Sequence, residues 1–151
     1  MGGHVLDAAG VHRRLLDLYP AIVAGTALDE ALELIDPNVV DHRGGLAGDH
    51  RGSAAWREKW RALPGGEFHD LSATVEHNVA TADTSVNRYT MGGTHTASGR
   101  RYEIAGLDMI RVRDGRVVEH WAFGDWELMR HQLAGDSECG SRSPHAGRGR
   151  R

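Results

Sequence analysis

The sequence predicts an α+β domain, with helices packed on one face of a curved sheet. Three observations predict it. Apolar residues recur at spacings of three and four up to about residue 63, then alternate from about residue 68 onward. A "RDGR" stretch at 113 to 116 gives a strong hairpin signal, because Asp-Gly suits the positive φ angles of a type I′ turn. The 151 residues are 40% hydrophobic and 26% charged, ordinary values for one domain with a core.

Val11, Leu15, Leu18, Tyr19, Ile22 and Val23 form one apolar stripe of a helix from about 8 to 24, which Gly25 ends. Thr26 is expected to cap a second helix, with Asp29 as a capping-box-like partner and Pro37 beyond its end. "VVDHR" (39 to 43) reads as a short strand followed by a glycine-containing loop. Ser53 opens a third helix, "SAAWREKWRAL", whose Trp56, Trp60 and Leu63 share a face. Strands follow at 68 to 81, at 84 to 91 with 94 to 97, at 101 to 113 and at 116 to 123, before a closing helix from about 125. Ser98-Gly99 makes a weaker turn. In the strand at 101 to 113, Tyr102, Ile104, Gly106, Asp108, Ile110 and Val112 share one face. Asp108 breaks an otherwise apolar row, and Gly106 removes a side chain beside it. Inward polar groups under a helical cover predict a pocket.

Composition excludes several function classes. A net charge of -3 without a basic, aromatic stripe gives no reason to expect nucleic acid. No apolar run is long enough to span a membrane, and the start lacks the apolar centre of a signal peptide. The single cysteine, Cys139, excludes an intrachain disulfide and suits the cytoplasm. The ten histidines show no metal-binding spacing, and no phosphate-cradling glycine motif or nucleophile elbow occurs. Residues 136 to 151, rich in Gly, Ser and Arg, are expected to be a disordered tail beyond a domain over residues 1 to 135.

The stretch "VVEHWAFGDWELMRHQL" (117 to 133) carries the most information. It poses one question: why an aspartate, Asp125, stands among Trp121, Phe123 and Trp126. Those rings would strip it of water, as suits a group that both takes and gives protons. It also precedes a helix, where aspartate is a favoured cap. His120 alternates with Val118 and is expected to face the pocket, with Trp121 facing away; it can orient a carboxylate, hold substrate, or sit satisfied in a core.

Together, "RYTMGGTHT" (88 to 96), "DGRVVEHW" (114 to 121), the aspartate four residues after Trp121, and "HQL" (131 to 133) resemble the SnoaL-like polyketide cyclases. These belong to the nuclear transport factor 2-like superfamily. The resemblance covers about residues 8 to 133, and H-W-x-x-x-D followed by Q-L is its most specific part. It implies a cone-shaped fold, three N-terminal helices on a strongly curved antiparallel sheet. It implies an enzyme that closes a ring in a polyketide or related secondary metabolite, as in antibiotic biosynthesis, by intramolecular aldol condensation without cofactor. It places the acid/base aspartate on Asp125. Epoxide opening to a cyclic ether, isomerisation, dehydration, cycloaddition and a non-catalytic small-molecule-binding or dimerisation module remain open on this scaffold.

A more distant resemblance is to ketosteroid isomerases, through "HRGSAAWREKW" (50 to 60) and "LDMIRV" (107 to 112). It implies that Tyr19 and Asp108 hydrogen-bond an enolate oxygen. It sets His42 where those enzymes carry a carboxylate base, and that replacement argues against plain steroid isomerisation. The short "THTASGRRYE" turn (94 to 103) departs from many cyclases. The catalytic expectation is thus Asp125, His120, His42 and Asp108. Tyr19, Trp56, Trp60, Tyr89, His95 and Tyr102 are expected to bind substrate, with core packing or loop bracing as the plainer roles. A homodimer through an outer sheet face that includes Trp121 is expected.

Overall fold

A computed structural model describes residues 5 to 42 and 48 to 135. Its elements run α1 (Ala8–Val23), α2 (Leu28–Leu32), β1 (Ile35–His42), β2 (His50–Arg51), α3 (Ser53–Arg61), β3 (Phe68–Ala80), β4 (Thr84–His95), β5 (Arg101–Arg113), β6 (Arg116–Gly124) and α4 (Trp126–Ala134). The expected tail at 136 to 151 lies outside the described residues. No described helix is long and apolar enough to cross a membrane.

Each helix begins for a local reason. Asp7 caps α1, its carboxylate accepting the Gly10 N–H at 2.8 Å. Thr26 does not cap α2 as expected; its hydroxyl turns back to the Ala21 carbonyl, and α2 starts two residues later without a side-chain cap. Pro37 lies inside β1, so the strand is longer than its apolar centre suggests. The Asp114-Gly115 turn has φ of 52° and 74°, the two positive values that a type I′ hairpin requires.

One six-stranded sheet has the order β2-β1-β6-β5-β4-β3 and is antiparallel except for the β1–β6 pair. α1, α2 and α3 pack on its inner face. Val11 and Ile22 of α1, Trp56 and Trp60 of α3, and Val39, Ile110 and Val117 of the sheet form the core. Ile104, Ile110 and Val117 are almost wholly out of solvent. Burying each such side chain stabilises the fold by about 1.5–3 kcal/mol.

β5 outruns β6, whose pairing stops where Gly106 faces Gly124. Beyond that point α4 takes over. The Gln132 amide accepts the Glu103 N–H at 2.8 Å and donates to the Glu103 carbonyl at 3.1 Å, copying a neighbouring strand's backbone. Arg100 donates to the Leu133 carbonyl at 2.9 Å. The glutamine of "HQL" therefore has a structural task.

Candidate active site

Between α1, α3 and the inner sheet face lies a cavity of about 560 Å³, with half-exposed Trp126 at its rim. That volume suits a small organic molecule. Its walls are mostly apolar, from Leu15, Leu16, Ile22, Trp60 and Ile110, and they surround a short polar chain.

His12, Leu15, Leu16 and Tyr19 fall on one flank of α1 and turn into the cavity together. His12 Nε2 donates to Asp108 Oδ2 at 2.9 Å, and its Nδ1 meets the buried Ser85 hydroxyl at 2.8 Å. With Nε2–H given to Asp108, Nδ1 accepts the hydrogen bond of the Ser85 hydroxyl. Asn78 donates to Ser85 Oγ at 2.9 Å and to Asn87 Oδ1 at 2.7 Å, fixing the serine from behind. On the other side, Asp41 and His120 face each other across the parallel β1–β6 pair. Asp41 Oδ1 accepts the His120 Nδ1–H at 2.7 Å, leaving His120 Nε2 3.8 Å from Asp108 Oδ2. Ser85, His12, Asp108, His120 and Asp41 thus form one continuous row.

Electrostatics assign the charges. Burial would raise the Asp108 carboxyl, but the two imidazoles beside it outweigh burial and hold it below the usual carboxylate range. Burial would lower His120, but the flanking Asp108 and Asp41 carboxylates outweigh burial and the nearby Lys59 ammonium, holding it above the ordinary histidine value. Burial, with Asp108 and Tyr19 nearby, pushes Tyr89 up to about 12. Burial likewise raises Tyr19 and, in the second cavity described below, Tyr102. Both cavity tyrosines, Tyr19 and Tyr89, are therefore neutral donors at pH 7. The Tyr89 ring lies over Gly106, where a Cβ would come within 2.8 Å of it. The space that this glycine vacates is filled by the tyrosine. Trp56 Nε1 is the one buried side-chain polar atom without a partner among the described residues, and its ring lies edge-on to His120 at 5.1 Å.

Of the residues expected from sequence, His120, His42, Asp108, Tyr19, Trp56, Trp60 and Tyr89 line the cavity. Three do not. Asp125 is exposed and caps α4, its carboxylate accepting the Leu128 N–H at 3.0 Å. Of the three rings meant to desolvate it, Phe123 and Trp126 are 67% and 52% exposed. His95 ends β4 and braces its turn through Ser98 at 2.8 Å. Tyr102 faces a second, smaller cavity. Two roles also change. Ionised Asp108 accepts hydrogen bonds, so it cannot be the donor that the isomerase resemblance implies. His42 has both nitrogens engaged, by Asp49 at 3.1 Å and Glu119 at 3.2 Å, and stacks on Trp121. Both of its nitrogens are therefore taken up by carboxylates.

The profile of the SnoaL-like domain matches residues 15–120. The chain belongs to the SnoaL-like family. This SnoaL-like chain is 36% identical to IdmH of Streptomyces antibioticus, a candidate polyketide cyclase. That match covers 82% of this chain and 98% of IdmH, with a TM-score of 0.67. A candidate SnoaL-like polyketide cyclase from Jannaschia sp. CCS1 has a TM-score of 0.72 at 18% identity, covering 84% and 91% of the two chains. A candidate isomerase from Bacillus subtilis has a TM-score of 0.68 at 21% identity, covering 85% and 93%. The last two likenesses show the fold alone. Among curated proteins, none matches at a significant level. In this SnoaL-like chain Asp125 caps α4 and Gln132 lies within it, while the buried acid/base groups lie elsewhere.

Sequence reasoning missed His12, Asp41, Ser85 and Lys59. His12 stands at helical spacing from Leu15, Leu16 and Tyr19, which could have marked it as cavity-facing. Asp41 continues the inward row of Ile35 and Val39 on β1. Ser85 and Asn87 carried no local signal.

Proposed function

We propose that this protein is a cofactor-independent cyclase that closes a ring in a polyketide or related secondary-metabolite intermediate by intramolecular aldol addition. One observation carries the reading: His120 lies in the cavity wall with its Nδ1–H fixed by Asp41 and its Nε2 directed toward the Asp108 carboxylate. An imidazole so oriented is a general base and, once protonated, a general acid. His120 Nε2 takes a proton from a carbon between two carbonyls. The resulting enolate carbon attacks a second carbonyl of the same chain, and the new alkoxide takes the proton back from His120. Asp41 and Asp108 stabilise the imidazolium in between. Tyr89 and Tyr19 are the donors for the enolate oxygen and the attacked carbonyl. No atom is lost, and the product is a cyclic β-hydroxy ketone.

The family membership and the likeness to IdmH support a polyketide-like substrate. The apolar cavity walls suit one. We place the protein in the cytoplasm, consistent with its single cysteine. We expect a homodimer joined through the outer sheet face, where Leu107 and Phe123 are exposed opposite one another on β5 and β6.

The first half-reaction can be tested without the native substrate. Exchange of the α-protons of an aryl 1,3-diketone in D₂O, followed by NMR, should be accelerated by the protein. His120→Asn should lose roughly 10²- to 10⁴-fold of that acceleration. Full exchange activity in His120→Asn would overturn the assignment.

A further inference from the structure

The second cavity, of about 320 Å³, touches the chemistry above only through Tyr19. It shares Tyr19, Leu63 and Met91 with the main cavity. Its own walls come from Phe68, Leu71, Tyr102 and Met129. Its one charged wall residue, Glu67, is 72% exposed. Tyr102 sits on the same face of β5 as Asp108, six residues away, which is roughly 20 Å along an extended strand. The glycine pair of "RYTMGGTHT" also finds its reason here. A Cβ on Gly93 would come within 2.9 Å of Leu71 and 3.0 Å of Tyr102, so the glycine leaves room for both side chains in this wall. A half-open hollow of this size, walled by rings and thioethers, can take up an apolar group.

We infer that the second cavity is a subsite for the non-reacting, apolar arm of the substrate, which enters it past Tyr19, Leu63 and Met91 while the carbonyl-bearing part lies at His120. This rests on the cyclase reading for which end reacts, and it narrows the substrate class. The molecule is long and two-ended, with an oxygenated segment and an uncharged hydrocarbon or polyene arm. Met91, unbranched and flexible, is suited to move aside for a chain running between the two spaces.

Binding tests this without any turnover, so a failure of the cyclase chemistry would leave the result readable. A series of 1-phenyl-1,3-diketones with straight alkyl tails from methyl to decyl serves as the probe. Quenching of tryptophan fluorescence reports it, since Trp56, Trp60 and Trp126 line the main cavity. In the wild type, affinity should rise about two- to fourfold per methylene and continue to the longer tails. Leu71→Trp and Met129→Trp place a ring in the second cavity from two opposite elements, β3 and α4, at positions that are not fully buried. Each should leave the methyl and ethyl members at wild-type affinity and flatten the series beyond them. Unchanged short-tail binding also shows that the variant is folded. A wild-type series that is flat from the start overturns the proposal by itself. So does a tryptophan variant that follows the wild-type series to its longest member.

Discussion

Asp41→Asn isolates the carboxylate behind His120. The carboxylate is 2% exposed and accepts the His120 Nδ1–H at 2.7 Å. Asparagine keeps the volume and one acceptor oxygen but loses the charge. Hydrogen bonds to charged groups contribute about 1.5–3 kcal/mol and neutral ones about 0.5–1.5, so the substitution should cost about 1–2 kcal/mol. For a domain of this size that is about 2–8 °C in Tm. The loss should depend on pH with a definite sign. Burial is the largest influence on His120 and lowers it, and only the two carboxylates hold it raised. A group raised in the folded state contributes stability that is complete below its unfolded value, about 6.5, and is lost as pH rises through the folded value. The stability gap between wild type and variant should therefore be widest near pH 6 and narrow towards pH 9. With one carboxylate gone, burial gains ground and His120 loses its proton at lower pH. The acid limb of the diketone exchange rate should move down with it. The plateau should also fall, by up to about 10⁴-fold, because an amide can present its N–H to Nδ1 and turn the ring to the wrong tautomer. Circular-dichroism melts at the two pH values and exchange rates between them measure both effects. A gap that widens with pH, or an acid limb that stays in place, would refute the pairing as described.

Asp125→Asn should stay within a few tenths of a kcal/mol and about twofold of wild-type exchange activity, because asparagine caps a helix as well as aspartate; Asp125→Ala should cost about 1 kcal/mol in a thermal melt. A hundredfold rate loss in the asparagine variant would return Asp125 to the chemistry. Gln132→Ala removes both bonds to the Glu103 backbone and should cost about 1–3 kcal/mol. Its signature is faster hydrogen exchange at the Glu103 amide, and unchanged protection there would count against the strand-mimic role. Light scattering at micromolar concentration should give a dimer for the wild type and a monomer for Leu107→Glu; a monomeric wild type removes the outer-face interface.

The features legible in the sequence were those that a few neighbouring residues decide. The Asp114-Gly115 hairpin follows from backbone preference alone, and alternation along β5 is enough to turn Asp108 inward. The helical spacing of α1 and α3 likewise places Trp56 and Trp60 in the core. Features decided by distant partners were not legible. The aromatic neighbours of Asp125 suggested a dry pocket, yet whether a flanking ring is buried depends on what packs over it, and among the described residues Phe123 stays largely exposed. His42 drew attention through its place in a resemblance, while Asp41 beside it, on the buried face, holds His120. Thr26 had two backbone groups within reach, and the local pattern could not say which it would choose. The row from Ser85 to Asp41 joins residues 73 and 79 positions apart in two of its links, beyond any window of local reading.

The parallel pairing of β1 with β6 has a kinetic meaning as well. Asp41 meets His120 across a separation of 79 residues, and the strand between them in the sheet order is none at all. Such a contact closes a long loop and must await most of the chain, whereas the β3–β4 and β4–β5 hairpins form from near neighbours. A chain still lacking β6 can therefore assemble hairpins and bury tyrosines, but it has no oriented imidazole. Competence arrives with the last strand. In reverse, with His120 as the proposed base, fraying of β1 from β6 should silence the chemistry while the rest of the sheet still stands, so activity should be lost ahead of global unfolding.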